Sequence, residues 1–144
     1  MEQDKIKHLE FIQSVLTRMN TNSIQLKGWM ITLVSALLAL YANSKNENYI
    51  YIAIIPVIIF WFLDTYYLQQ ERKFRGIYND VAELTEEDKK QDVRLFEMPL
   101  QKYKKGKYRY CRVFWSSTIA PLYGTILLLL FIGGLILSNC INVN

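Results

Sequence analysis

The chain has 144 residues, one domain at most by size; it is 51% hydrophobic, and 17 basic against 13 acidic residues leave a net charge of +4. Its apolar residues fall in uncharged blocks, which excludes ordinary core helices with one polar face. A single histidine and two well-separated cysteines exclude a zinc site, which takes about four ligands.

Residues 1–23 read as an amphipathic helix. Leu9, Ile12, Leu16 and Met19 recur at spacings of three and four, and Phe11 and Val15 widen that face. Two placements are open to such a helix: flat on a membrane surface, or packed on other helices. Its mixed polar face, with Glu2, Asp4 and Glu10 among Lys5, Lys7 and Arg18, favours packing over lying on lipid. His8 stands alone and reads as a surface or seam residue, not a general base. The poor helix formers Asn20-Thr21-Asn22-Ser23 predict a break. A charged leader without a short apolar core and small-residue cleavage site argues against a cleaved signal peptide.

Three apolar blocks follow, each near the roughly 20 residues that span a bilayer as a helix. They predict transmembrane helices over 24–43, 50–68 and 113–138, with a short external turn at 44–49 and an external tail at 139–144. Lys and Arg number four from the leader through Lys27 (Lys5, Lys7, Arg18 and Lys27), one in the turn, twelve in 69–112 and none in the tail. The positive-inside bias therefore places the N-terminus in the cytoplasm and the C-terminus outside. Pro56 and Pro121 are expected kinks. Cys111 and Cys140, at opposite ends of the third block, would lie about 40 Å apart in a helix. They are too distant to pair within one chain, although Cys140 is placed to bridge neighbouring subunits.

The second helix is expected to continue into the cytoplasm to about residue 83, offering Tyr67, Phe74, Tyr78 and Val81 to the leader. Thr85 to Asp88 resembles a capping box opening a short acidic helix, and Pro99 interrupts the rest of the 69–112 segment. The fold class is thus an all-α membrane protein of three spans, with a cytoplasmic amphipathic leader and a cytoplasmic extension of the second span.

Asp64 stands in the apolar run at the end of the second block. A hairpin turning near residue 46 sets Lys27 at about the same depth, and Arg112 arrives at the same interface. A carboxylate near hydrocarbon needs a partner, so Asp64 is expected to anchor the bundle through Lys27 or Arg112; the alternative is a proton or cation site lining a pathway. Small residues repeat at helical spacing in Gly28, Thr32, Ser35 and Ala39, and in Ser116, Ala120 and Gly124. Such stripes let helices approach closely in lipid, either between subunits or within one. The run from Lys102 to Arg112 has six basic residues among three tyrosines. There Lys102, Lys104, Lys105, Lys107 and Arg109 point to anionic lipid head groups, with a nucleotide ligand as the alternative. No phosphate-binding glycine loop or hydrolase motif occurs, so no enzyme, catalytic residue, cofactor or metal is expected, and no nucleic acid.

HLEFIQSVLTRMNTNSIQLKGW, FWFLDTYYLQQERKFRGIY and RVFWSSTIAPLYG resemble, in that order, the RipA-type family of small bacterial inner-membrane proteins. The resemblance covers nearly the whole chain and is weakest over 85–108. It implies three spans, a cytoplasmic face, a homo-oligomer (an octamer), no enzymatic activity and a part in membrane-level stress adaptation. Asn22, Lys27, Trp29, Asp64, Tyr67, Glu71 and Arg72 lie in the matching motifs, so a charged cytoplasmic belt of Lys27, Asp64, Arg112, Glu71 and Arg72 is expected. Two functions compete: a scaffold or sensor that meets a protein partner, and an oligomeric channel or pore, as a gated stress or anti-phage effector.

Overall fold

The computed structural model describes the backbone of residues 2–141 and the side chains of residues 2–136. Among them the chain is all-helical, without strands. Helix α1 spans Glu2–Ser44, α2 spans Asn48–Val81, α3 spans Tyr110–Phe114 and α4 spans Ala120–Ile141, with 3-10 turns at Leu100–Lys102 and Gly106–Tyr108. Helices α1 and α2 are long and apolar enough to cross a membrane. Helix α4 is also apolar, 22 residues long and without a charged residue.

Five expectations need correction. Helix α1 runs unbroken through residues 20–23. Penalties of roughly half a kcal/mol for each poor helix former are outweighed by packing of the segments on either side, with Ile12 and Val15 buried before them and Leu26 and Met30 after. The apolar block 113–138 is not one helix. The short α3 ends at Phe114, Ser116 accepts the Ile119 and Ala120 amides through its carbonyl, and α4 begins only at Ala120. Pro121 explains the late start: it lacks an N–H and its fixed φ suits a first helical turn, so it opens a helix instead of kinking one. No helix forms at 85–88; the Lys89 and Lys90 amides close one turn on the Glu86 carbonyl, too short to repay nucleation. Phe11 does not join the buried face and is 56% exposed. By contrast, α2 ends at Val81, close to the expected position, where Leu84 N–H reaches the Asn79 carbonyl and Glu83 adopts a left-handed φ of 60°, a common helix stop. The connection between α1 and α2 is closed by Asn46, whose side-chain oxygen accepts the Asn48 amide at 3.0 Å. The side chain of Cys140 lies outside the described residues.

The chain divides into two compact units, Met1–Ser23 with Tyr66–Val113 and Ile24–Thr65 with Phe114–Asn144. In the first, the leader packs on the extension of α2: Ile12 and Val15 meet Phe74, Ile77 and Tyr103, with Leu16, Met19, Tyr78 and Val81 around them. Full burial of Ile12 and Ile77 contributes on the order of 1.5–3 kcal/mol each. Lys5 closes the edge on Glu83 at 2.7 Å; this hydrogen bond and charge hold the Glu83 carboxyl below its usual range. In the second unit, Met30 and Val34, Ala53, Val57 and Trp61, and Ile119, Tyr123 and Leu130 form the core. The opposite faces carry exposed apolar side chains on every helix, including Leu33, Ile55, Ile59, Phe62, Leu129 and Phe131.

Of the two positions expected for His8, surface or seam, it takes the seam and lies in the core of the first unit. It is fully buried, and neither ring nitrogen has a hydrogen-bond partner among the described residues. Burial holds its pKa below the ordinary 6.5; the Glu97 backbone pulls weakly the other way without reaching hydrogen-bond geometry. Glu2, Lys5, Asp80, Glu83, Lys90 and Asp92 line the cavity of 480 Å³ that His8 also lines. Well above pH 6.5 the ring is neutral folded or unfolded. Below it the unfolded chain takes the proton first, so the unit loses stability as pH falls. Amides of residues 2–19 should show less hydrogen-exchange protection at about pH 5.5 than at about pH 7.5, after correction for intrinsic rates. His8→Phe should flatten that dependence, and an unchanged slope in the variant would contradict this role.

Candidate functional site

The polar centre of the second unit is a tie among its three long helical segments. Asp64 on α2 is fully buried. Its Oδ2 lies 2.7 Å from Lys27 Nζ on α1 and accepts a hydrogen bond from the Tyr123 hydroxyl of α4 at 3.2 Å. The Lys27 side chain keeps 25% of its surface exposed, so its apolar stem is covered while the ammonium reaches the carboxylate. Of the two partners expected for Asp64, Lys27 is thus in ion-pair contact; Arg112 belongs to the other unit and is exposed.

Aromatic packing fixes the surroundings. Trp61, one turn before Asp64, stacks on Phe114 with centroids 4.4 Å apart and nearly parallel on Tyr123 at 5.9 Å, and its indole N–H points to the Phe114 carbonyl at 3.4 Å. Thr65 returns its hydroxyl to the Trp61 carbonyl at 2.8 Å. The Lys27 ammonium and the Tyr123 phenol thus hold the carboxylate beside a wall of rings, where charge is tolerable only because it is paired. Chemically this suits holding helices in register.

The other members of the expected belt are not part of this tie. Glu71 and Arg72 lie in the first unit, and Glu71 Oε1 accepts hydrogen bonds from Arg75 Nε at 2.9 Å and Nη2 at 2.5 Å, one turn on. Of the packing residues, Leu16 and Met19 flank the buried Ile12, and Leu9 is half-buried. Gly28, Thr32, Ser35 and Ala39 are all exposed, and a Cβ added at Gly28 or Gly124 meets nothing within 4 Å. Ser116 and Ala120 are half-buried, the Ser116 hydroxyl without a hydrogen-bond partner among the described residues. Among the basic residues, Lys102, Lys104, Lys105 and Lys107 line one cavity, Lys102 donates to the Asp92 carbonyl at 2.5 Å, and Arg109 is exposed.

Sequence reasoning missed a second polar tie, in the first unit. Asp80, 4% exposed, accepts the Tyr103 hydroxyl at 2.5 Å and the Gln91 amide at 3.2 Å. Burial, then the hydrogen bond and charge of Asp80, push the Tyr103 phenol well above its usual range, so it stays a donor. Gly76 makes room for it: a Cβ there would stand 2.8 Å from the Tyr103 ring and 2.5 Å from the Tyr108 hydroxyl. The one signal for this was a lone glycine inside a helical pattern, which is often a site of close approach.

Among the described residues, no three His, Cys, Asp or Glu side chains are grouped to hold a metal. The fold and the tie define an all-helical protein with two helices long and apolar enough to cross a membrane. Comparison with known protein families, curated proteins and solved structures finds no match to this chain.

Proposed function

We propose that the chain is a non-enzymatic, homo-oligomeric protein of the bacterial inner membrane, crossing it three times with the first unit in the cytoplasm. There it acts as a scaffold or sensor, and the resemblance to the RipA-type proteins points to membrane-level stress adaptation and to an octamer. The observation that carries this reading is the outward apolar surface of the second unit. A soluble core helix buries its apolar residues, yet only 22% and 33% of the most apolar stretches of α1 and α2 are buried. Contiguous exposed apolar surface of this kind calls for lipid or a partner. The open stripe of Gly28, Thr32, Ser35 and Ala39 favours a neighbouring helix over lipid along that line, because small residues gain by close helix contact.

The tie at Asp64 supports scaffold over pore, since its carboxylate is already engaged by Lys27 and Tyr123. Liposomes carrying the purified chain should pass no more ions than empty ones. Flux that changes in Asp64→Asn would replace the scaffold with a channel. Orientation is tested in a Cys111→Ser, Cys140→Ser background: Lys45→Cys should react with an impermeant thiol reagent in intact cells, and Arg94→Cys only after lysis. The reverse pattern would invert the topology.

A further inference from the structure

The first unit holds a cavity of 610 Å³ with an unusual charge. Five lysines line it, Lys89, Lys102, Lys104, Lys105 and Lys107, against a single carboxylate, Asp80. That carboxylate is already occupied by the Tyr103 hydroxyl and the Gln91 amide. Lys89 pairs with Glu86, Lys102 is held by the Asp92 carbonyl, and Lys107 lies over the Tyr108 ring at 5.3 Å. Lys104 and Lys105 are exposed and have no carboxylate partner among the described residues. Ammonium groups gathered at one opening repel one another, whereas an anion between them turns that repulsion into attraction. Asn79, Gln91, Gln101 and Thr85 add neutral hydrogen-bonding groups to the lining.

We propose that this cavity binds a small anion carrying two or more phosphate groups, with Lys104 and Lys105 as its principal ligands. Lysine serves phosphate as a mobile point charge, and five lysines against one carboxylate supply more positive charge than a single phosphate neutralises. The volume lies in the usual range for small-molecule sites. The site rests on the first unit alone and stands whether or not the scaffold reading holds.

The test is calorimetric titration of the full chain in mild detergent with inorganic pyrophosphate. Saturable binding is expected, weakening with added salt and falling about tenfold or more in Lys104→Gln/Lys105→Gln. Arg94→Gln, which removes an exposed charge outside the cavity, should leave it unchanged. Both variants must keep the wild-type melting temperature, and their exposed positions make this the expected result. Absence of saturable binding, or an equal loss in Arg94→Gln, overturns the proposal. Lipid discs then distinguish the source of the phosphate. If pyrophosphate affinity drops as cardiolipin, whose head group carries two phosphates, replaces phosphatidylcholine, lipid head groups compete for the site; if it does not change, a soluble polyphosphate is the ligand. Either result keeps the site.

Discussion

Lys27→Met should be the most damaging single change in the second unit, costing about 3–5 kcal/mol. It removes the ammonium at 2.7 Å from a fully buried Asp64 carboxylate, and the neutral Tyr123 hydroxyl at 3.2 Å does not replace its charge. Asp64→Leu should cost less, about 1–3 kcal/mol, because Lys27 is 25% exposed and its flexible stem can carry the charge to solvent. The double variant Lys27→Met/Asp64→Leu should recover much of the loss, since an apolar pair of similar volume replaces a buried ion pair at little cost. The coupling should therefore exceed the cost of Asp64→Leu and reach about 3 kcal/mol or more, read from a double-mutant cycle of reversible unfolding in detergent. Additive effects, or a Lys27→Met variant as stable as wild type, would show that the pair does not hold the helices together.

Gly76→Ala sets two effects of opposite sign against each other. In a free helix, alanine in place of glycine gains about 1 kcal/mol. Here the new Cβ would fall 2.8 Å from Tyr103 Cδ1, 2.9 Å from its Cε1 and 2.5 Å from the Tyr108 hydroxyl. Tyr108 is half-buried and offers only its tip, so it can swing away. Tyr103 is 3% exposed and anchored through its hydroxyl to Asp80, so the ring cannot move without breaking that bond. Overpacking of this kind costs about 1–3 kcal/mol, and the lost hydrogen bond about 1 kcal/mol more. The collision wins: the first unit should lose roughly 1–3 kcal/mol, seen as weaker hydrogen-exchange protection of residues 70–81. Stabilisation of those amides would mean that Tyr103 is not held against the α2 backbone.

The contrast between these two sites shows what the sequence makes legible. Lys27 and Asp64 follow from a hairpin alone, because equal distance from the turn near residue 46 gives equal depth. Tyr123, the third member, could not be found that way: 59 residues separate it from Asp64, and nothing in the pattern of α4 marks one tyrosine as a donor. The seam of Ile12, Leu16 and Met19 with Phe74, Tyr78 and Val81 was visible as periodicity. His8 was legible only as surface or seam, since a polar type does not say which of the two it takes. Breaks were read too literally at 20–23, where weak local preference yields to packing, and too weakly at Pro121, which starts α4. The segment 85–108 has no period, so the Asp80–Tyr103 bond and the lysine cavity emerge only when its turns are placed against α2.

Native mass spectrometry of the purified chain in mild detergent tests the central proposal most directly. A single closed homo-oligomer, with no free monomer at working concentration, is predicted from the open small-residue stripe of α1 and the exposed apolar faces of α1, α2 and α4. A monomer that persists in lipid discs would contradict it, because Gly28, Thr32, Ser35 and Ala39 would then have no neighbouring helix to meet.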